Sequence, residues 1–458
     1  MIQPDDTIAA ISTPLGEGGL AVVRVSGTAA LAVVDRCFEP AGRTSAKPSQ
    51  AATHTLHFGR VRSRGQLVDE VLVGVMRAPR TYTREDVVEI SCHGGLLPAK
   101  LVLEAVLAAG ARLAQPGEFT QRAFLNGRLD LAQAEAVADV IHARTGLALA
   151  AAEQQLAGSL SRRVNRLRDD LLGVLAHVEA HLDFPEEDIA PDTQTRLLER
   201  MRAGAAFMDE LLRTASDGQI LRHGVRAAIV GRPNVGKSSL LNQLLGRDRA
   251  IVSPLPGTTR DTIEETASVH GIPVRFVDTA GLRASGDLIE QEGVRRSEAA
   301  ARQAELILHV LDASAPWQVE DAALLAGFGG TKRLLVLNKC DLQVRLELPS
   351  ELAAGAVQVS CLTGAGFDEL QSAIRGKVWA GEIGAEMLEV MINARHQDAL
   401  RRAREALARA TTALHEGLTL ELAASDVRIA VNAVGEVVGQ TATEDLLDRI
   451  FSEFCIGK

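Results

Sequence analysis

Residues 231–238 read Gly-Arg-Pro-Asn-Val-Gly-Lys-Ser and limit the possible folds of this chain more than any other feature. They match the pattern G-x-x-x-x-G-K-[ST], whose glycines let backbone N–H groups surround phosphate oxygens. Residues 226–230 have the composition of a buried strand, and residues 239–245 have that of a helix start. The alternative is an ordinary Gly-rich turn. A strand before the segment and a helix after it favour a P-loop in a parallel α/β sheet.

The chemistry of a nucleoside triphosphate predicts a role for the residues of this loop. Lys237 would reach the β- and γ-phosphates, and the Ser238 hydroxyl would bind Mg²⁺. The residues of the loop predicted to contact the nucleotide are Asn234, Val235, Gly236, Lys237, Ser238 and Ser239.

Three shorter motifs follow the loop in the order typical of a GTP-binding domain. An Asp-Thr-Ala-Gly segment would place a carboxylate near the metal, and an Asn-Lys-Cys-Asp segment would place Asp341 near the base. That carboxylate can accept hydrogen bonds from guanine N1–H and N2–H₂, a donor pair that adenine lacks, so the motifs favour GTP over ATP. A Ser-Cys-Leu segment lies where a base-contacting loop belongs. The predicted contacts are Asp278, Thr279, Ala280, Gly281, Asn338, Lys339, Asp341, Ser360, Cys361 and Leu362.

A segment with two prolines, between the P-loop and the Asp-Thr-Ala-Gly motif, is expected to form an exposed loop. Thr259 could complete the Mg²⁺ shell when the γ-phosphate is present, as in a nucleotide-dependent switch. The nucleotide contacts predicted here are Ser253, Pro254, Leu255, Pro256, Gly257, Thr258 and Thr259.

The groups that carry out hydrolysis are not fixed by these motifs. Leu282 follows the Asp-Thr-Ala-Gly motif, where many small GTPases carry a Gln that orients water. Another group must therefore orient water, or hydrolysis is slow. Asp287, Glu290 and Glu292 are the candidate acids, and transition-state charge could come from Arg232, Arg260, Arg283 or a monovalent cation near Asn234.

Hydrophobic patterning divides the 458 residues into segments. We predict a compact α+β domain of short strands at 1–118, helices at 119–222 with a break at Thr145-Gly146, alternating strands and helices at 223–381, and helices again at 382–458. The two helical stretches are predicted to form one domain interrupted by the α/β unit, because short bundles need partners to bury their apolar faces. Two independent helical domains are the alternative.

Composition excludes several classes of protein. The net charge of −10 excludes a uniformly basic nucleic-acid coat, so RNA contacts would need a local basic patch. Five cysteines without a CxxC pair favour a reducing cytoplasm over a disulfide framework or a zinc finger. No signal peptide and no apolar run long enough for a membrane span is visible.

The chain resembles the MnmE (TrmE) family of tRNA-modification GTPases from end to end. The resemblance is carried by residues 13–19, 93–95, 116–119, 122–126, 129–135 and 183–185. The terminal Phe-Cys-Ile-Gly-Lys at 454–458 is its most specific mark. The resemblance implies an N-terminal α+β folate-binding-like domain, a discontinuous helical domain and an inserted P-loop G domain with a mainly parallel sheet.

The resemblance also implies how hydrolysis would work. Activation would come from potassium and from dimerisation of G domains. Glu290 would be the catalytic carboxylate that orients water, and Cys455 would be the family's characteristic cysteine near the active centre. The implied metal ligands are Asn234, Ser253, Leu255 and Thr258 for K⁺, and Ser238 and Thr259 for Mg²⁺.

The N-terminal domain resembles a tetrahydrofolate-binding module that also forms the homodimer. Its implied ligand is 5,10-methylenetetrahydrofolate or 5-formyltetrahydrofolate, held by Arg24, Glu89, Arg128 and Lys458. At position 128 the family often has Lys, and Arg keeps the charge while changing the geometry.

The implied function is that of a cytoplasmic, potassium-stimulated GTPase in tRNA wobble uridine modification. With an FAD-dependent MnmG (GidA) partner, in a heterotetramer or larger complex, it would add an aminomethyl-type group such as carboxymethylaminomethyl at uridine C5. The Arg-rich stretches at 162–168 and 401–404 are the local candidates for tRNA phosphate contacts. Alternatives are a ribosome-assembly GTPase of the same G-domain class, a switch or scaffold without a role in chemistry, and a folate enzyme with a regulatory G domain.

Overall fold

A computed structural model of the chain describes residues 6–42, 46–183, 191–247, 265–277, 301–327, 331–379, 388–389 and 391–457. It has the multidomain α/β architecture that the sequence predicts, with an N-terminal domain, a helical domain and a G domain. Among the described residues, no helix is both long and apolar enough to cross a bilayer.

The N-terminal domain is a seven-stranded sheet covered on one face by helices. Its strand order is β3-β4-β5-β6-β2-β1-β7, and all neighbours are antiparallel except β1 and β7. Alternate residues of each strand point into the core beneath the helices, and the others point to the opposite face. The elements are β1 (Ile8–Ile11), β2 (Leu20–Ser26), α1 (Ala30–Cys37), β3 (Phe38–Pro40), β4 (Thr55–Ser63), β5 (Gln66–Met76), β6 (Val87–His93), α2 (Leu96–Ala108) and β7 (Arg112–Leu113).

Six helices follow this sheet along the chain. They are α3 (Glu118–Leu125), α4 (Leu131–His142), α5 (Gly146–Leu156), α6 (Ser159–Asp183), α7 (Pro191–Arg213) and α8 (Ala215–His223).

The expected break at Thr145-Gly146 is present, because the Thr145 hydroxyl caps α5 by accepting a hydrogen bond from the Ala148 N–H. The patterning between residues 129 and 182 predicts two helical pieces, and this is wrong, since a second break separates α5 from α6. Gly158 has φ +80° there, a left-handed conformation that ends a helix and that glycine adopts without strain.

The G domain is a six-stranded sheet of order β13-β12-β11-β8-β10-β9. All neighbouring pairs are parallel except the β9–β10 hairpin, as the mainly parallel prediction requires. The elements are β8 (Val225–Val230), α9 (Lys237–Arg247), β9 (Glu265–Val269), β10 (Ile272–Phe276), β11 (Leu306–Asp312), α10 (Val319–Ala326), β12 (Lys332–Asn338), α11 (Ser350–Ala353), β13 (Ala356–Gln358) and α12 (Phe367–Val378).

Three helices, α13 (Ala394–His415), α14 (Leu420–Val438) and α15 (Glu444–Ser452), follow the G domain. One hydrophobic core joins α13 and α14 to the helices that precede the G domain, and it contains Leu171 and Met201 together with Leu407 and Val434. The helical domain is therefore discontinuous in sequence, as predicted.

Candidate functional site

The P-loop runs between β8 and α9 at the carboxyl edge of the parallel sheet. Gly231 has φ +153°, and a Cβ there would lie 2.4 Å from the Val310 carbonyl oxygen. Gly236 has φ +100°, and a Cβ there would lie 2.1 Å from Asn338 Nδ2. Both positions therefore require glycine for the backbone conformation and for the close approach of a neighbouring strand end.

The polar side chains of the loop lie around its mouth. The Lys237 ammonium donates hydrogen bonds to the carbonyl oxygens of Gly231 at 2.8 Å and Arg232 at 2.7 Å, so it lies across the loop. Asn234 has φ +62°, and its side chain is exposed, as are those of Ser238 and Ser239. The mouth of the loop thus presents an ammonium, an amide and hydroxyl groups, a donor set suited to phosphate oxygens.

Asn338 connects the P-loop to the loop expected to contact the base. Its side chain is buried at the end of β12. Nδ2 donates to the Val235 carbonyl oxygen at 2.8 Å, and Oδ1 accepts from the Cys361 N–H at 3.1 Å. One side chain therefore joins three of the four motifs and holds the P-loop beside the Cys361 loop.

The base-side residues form a small polar cluster. The Ser360 hydroxyl donates to Asp341 Oδ1 at 2.5 Å, and Lys339 lies 2.6 Å from Asp312 Oδ2. Burial, together with the charge of Asp341, raises the pKa of the Cys361 thiol to about 11, so the thiol remains protonated and neutral. Asp341 itself lies at the surface, where an incoming base could reach its carboxylate.

One candidate for transition-state charge has a structural partner. Arg232 Nε donates to Asp321 Oδ1 at 2.8 Å, and this carboxylate is buried at the start of α10. Two groups of predicted residues lie outside the described part of the chain. They are the nucleotide, metal and catalytic candidates Ser253, Pro254, Leu255, Pro256, Gly257, Thr258, Thr259, Arg260, Asp278, Thr279, Ala280, Gly281, Arg283, Asp287, Glu290 and Glu292, and the folate candidate Lys458.

A second cluster forms around Arg24 on the exposed face of the N-terminal sheet. Arg24 on β2 and Glu89 on β6 are register partners, and Arg24 Nη2 lies 2.8 Å from Glu89 Oε1. The Arg24 guanidinium lies 5.6 Å from the ring centroid of Tyr82, and that of Arg128 lies 4.7 Å from the same centroid. Arg128 Nη1 also donates to the Tyr82 carbonyl oxygen at 2.8 Å. The structure therefore brings together three of the four predicted folate contacts.

The C-terminal tail closes against this cluster. Arg24 Nη1 donates to the Gly457 carbonyl oxygen at 3.3 Å, and the Gly117 N–H donates to the Cys455 carbonyl oxygen at 3.4 Å. Phe454 is buried with its ring 5.5 Å from that of Phe451. The Cys455 side chain is exposed at this surface.

The comparisons with known proteins cover the whole chain. The MnmE helical domain matches residues 131–455, and the N-terminus of GTP-binding protein TrmE matches residues 7–128. The tRNA modification GTPase MnmE of Geobacillus kaustophilus is 47% identical, over 99% of this chain and 99% of its own length. The chain belongs to the MnmE family.

Other relatives agree with this assignment. The tRNA modification GTPase MnmE of Chloroflexus aurantiacus is 48% identical over 99% of this chain and 100% of its own length. Among solved structures, Aquifex aeolicus Era bound to GDP·AlF₄⁻ is 29% identical and covers 39% of this chain and 65% of that chain, with a TM-score of 0.26. That likeness is confined to part of the chain and adds nothing to the assignment to the MnmE family.

Sequence reasoning missed the aromatic centre of the Arg24 cluster. Tyr82 is the only tyrosine of the chain. Its hydroxyl lies 2.9 Å from Thr120 Oγ1, and burial raises its pKa. The ring centroid of Phe119 lies 5.7 Å from the Arg24 guanidinium. Phe119 belongs to a segment that carries the MnmE resemblance, but only the fold shows that both rings meet Arg24.

Proposed function

We propose that this chain hydrolyses GTP to GDP and phosphate in the modification of the wobble uridine of certain tRNAs. The observation that carries the GTP part of the proposal is the link made by Asn338, because it joins the P-loop, which contains Lys237, to the Cys361 loop and to the segment of Asp341. The full-length match to relatives named tRNA modification GTPase MnmE supports the tRNA part. The proposed domains are 1–118, 119–222, 223–381 and 382–458.

We propose that K⁺ and Mg²⁺ serve this site. The exposed Asn234 amide at the mouth of the loop suits K⁺, and the Ser238 hydroxyl at the start of α9 is an oxygen ligand of the kind that Mg²⁺ prefers. A cation at Asn234 would stabilise the charge that develops on the phosphates, which an arginine supplies in other GTPases. Ser253, Leu255, Thr258 and Thr259 complete the proposed ligands.

The test compares steady-state GTP hydrolysis in KCl and in NaCl at equal ionic strength. Wild type should be faster in KCl by about 10-fold or more, and Asn234→Ala should lose that difference. Asn432→Ala, at an exposed asparagine of α14, is the matched control and should behave as wild type. Equal rates in both salts would remove the potassium proposal and leave the GTPase proposal standing.

We propose that Glu290 orients the attacking water. Glu290→Gln should lower kcat by about 100-fold or more while GTP still binds. Asp287→Asn and Glu292→Gln change neighbouring acids in the same way and should retain most of the activity. A larger loss in either control would move the catalytic role to that residue.

We propose that the Arg24 cluster binds a tetrahydrofolate. Two guanidinium groups around the Tyr82 ring and the carboxylate of Glu89 offer planar stacking and hydrogen bonding to a flat heterocycle with a charged tail. Arg24→Ala should weaken binding of 5-formyltetrahydrofolate at least about 10-fold in isothermal titration. Arg60→Ala removes an arginine that is paired with Glu70 in the same sheet, and it should leave binding unchanged. Equal affinities in both variants would contradict this site.

We propose that the exposed face of the same sheet forms the homodimer. Leu20, Leu56, Phe58 and Leu72 are 69%, 73%, 45% and 45% exposed, and Phe58 and Leu72 are register partners. Such a group of large apolar side chains is typical of an interaction surface. Phe58→Glu should therefore give a monomer in analytical ultracentrifugation, whereas Leu422→Glu, at an exposed leucine of α14, should not. A Phe58→Glu protein that stays dimeric would place the interface elsewhere.

We propose that the cytoplasmic reaction requires an FAD-dependent MnmG (GidA) partner, tRNA and a folate one-carbon donor. In a cell lacking the native gene, the wild-type chain should restore the modified wobble uridine, and Glu290→Gln should not. Full restoration by Glu290→Gln would favour a scaffold role instead.

A further inference from the structure

A cleft of about 920 Å³ opens where the helical domain, the G domain and α15 meet. Its walls come from α4, from the end of α8, from β9 and β10, from the start of α13 and from α15. It is separate from the P-loop and from the Arg24 cluster, since no residue of either lines it among the described residues.

The cleft is positively charged. Five arginines line it, namely Arg144, Arg222, Arg275, Arg395 and Arg449, against three described acids. Arg222 is paired with Asp139 at 2.6 Å, and Arg395 is paired with the buried Glu135 at 2.8 Å. Glu453 is the remaining acid, so the arginines outnumber the carboxylates by two in a chain whose net charge is −10.

Two of these arginines, Arg144 and Arg449, differ from the paired ones. Within the described part of the chain, no carboxylate oxygen lies within 4.0 Å of either guanidinium, and both residues are exposed. Arg144 Nη1 instead donates to the Thr266 hydroxyl at 2.6 Å. A hydroxyl acceptor holds a guanidinium in place without neutralising it.

Two arginines of the Arg-rich stretch at 401–404 differ in this respect. Arg402 lies 2.5 Å from Glu436 and 3.0 Å from Asp398, and Arg404 lies 3.1 Å from Asp209. A guanidinium already paired with a carboxylate must lose that partner before it can bind a phosphate, so its net gain is small. Arg402 and Arg404 are therefore less available to an anionic ligand than Arg144 and Arg449.

We infer that this cleft binds the phosphate groups of an RNA strand through Arg144 and Arg449. Because these two arginines lie on different segments around a large open cleft, one after the end of α4 and the other on α15, they suit several phosphates along a chain better than one small anion. A contact between guanidinium groups and phosphates positions the RNA without reading its sequence. This inference rests on the proposed role in tRNA modification.

The test measures binding of an unmodified, fluorescently labelled tRNA transcript to the full-length protein by anisotropy, over a series of KCl concentrations. The double variant Arg144→Gln/Arg449→Gln should bind tRNA about 10-fold more weakly. The slope of log K against log [salt] is negative, and its magnitude should decrease by about 2 in this variant. The matched control Arg402→Gln/Arg404→Gln should bind as wild type does. Arg144→Lys/Arg449→Lys keeps both charges and should keep the slope.

Steady-state GTP hydrolysis, expected at the wild-type rate in each variant, shows that the fold is intact. If the glutamine double variant keeps the wild-type affinity and slope, only the cleft proposal is overturned. Absence of tRNA binding by the wild-type protein would instead contradict the proposed function. Inorganic phosphate is compared as a competitor with KCl of the same ionic strength. Displacement of tRNA by phosphate but not by KCl would identify a small-anion site and overturn the RNA assignment.

Discussion

Single residues of the nucleotide site show which parts of it a sequence can reveal. The positions of Gly236 and Lys237 were predictable because a P-loop is a local pattern, set by the conformation of consecutive residues. The part played by Asn338 was not, because its two hydrogen bonds join segments that are 103 and 23 residues away along the chain. Tyr82 was missed for the same reason, since its contacts with two arginines depend on how strands and helices pack.

Gly236→Ala should abolish GTP binding. The new Cβ would lie 2.1 Å from Asn338 Nδ2 at a residue with φ +100°, so either the loop or the Asn338 link must move. We expect a loss of at least about 100-fold in affinity for a fluorescent GTP analogue. Gly246→Ala is the matched control in α9, where a Cβ meets nothing within 4 Å, and it should keep wild-type affinity. Near-normal binding by Gly236→Ala would show that the loop adjusts easily.

At the scale of elements, strands with clear alternation were predictable, whereas their partners and register were not. The β-rich stretches at 20–25, 68–76 and 87–92 predict the strands β2, β5 and β6. Nothing in the sequence indicates the two-residue β7, which exists only because Arg112 and Leu113 pair with β1. The second helix break at Gly158 also escaped prediction, because one glycine in an Ala- and Leu-rich stretch is compatible with a continuous helix.

His309 on β11 predicts how the G domain responds to acid. The side chain is fully buried, neither ring nitrogen has a hydrogen-bond partner among the described groups, and burial, assisted by the charge of Arg333, lowers its pKa to about 4. The unfolded chain therefore takes up a proton near pH 6.5, whereas the folded chain does so only near pH 4. The contribution of the neutral His309 to the free energy of unfolding is fully present above pH 6.5. It falls by up to about 3 kcal/mol as the pH decreases from 6.5 to 4.

His309→Leu should remove this loss. Leucine has no polar atoms to leave unpaired. The urea midpoint of the variant at pH 7.5 should therefore equal or exceed that of wild type. At pH 5 the variant should be clearly the more stable protein. Tryptophan fluorescence reports this unfolding, because Trp379 is buried in the core of the G domain. The same midpoint shift between pH 7.5 and pH 5 in both proteins would contradict the role of His309.

At the scale of the whole molecule, the insertion of the G domain into the helical domain was predictable. The packing between the two helical segments was not. Helical periodicity before and after an α/β segment indicated a split domain, because each half has an apolar face to bury. The pairs that hold the halves together, such as the contact of Arg395 on α13 with Glu135 on α4 at 2.8 Å, join residues 260 positions apart. We therefore expect the helical domain to be stable only when both chain segments contribute to it.

Leu407→Ala should loosen helices on both sides of the G domain. Leu407 is fully buried in the shared core, and its truncation should cost about 2–5 kcal/mol. Hydrogen exchange followed by mass spectrometry should then be faster in α6 as well as in α13. Leu422→Ala, at an exposed leucine of α14, should leave exchange near the wild-type rate. Faster exchange confined to α13 and α14 would show that the halves unfold independently.

The contact between Arg24 and Gly457 has a consequence for the order of events during synthesis. Domains fold as units while the chain emerges from the ribosome, and the strand that carries Arg24 emerges early. The tail that packs against it is translated only after the whole G domain. The surface around Arg24 therefore stays incomplete until residue 457 has emerged from the ribosome.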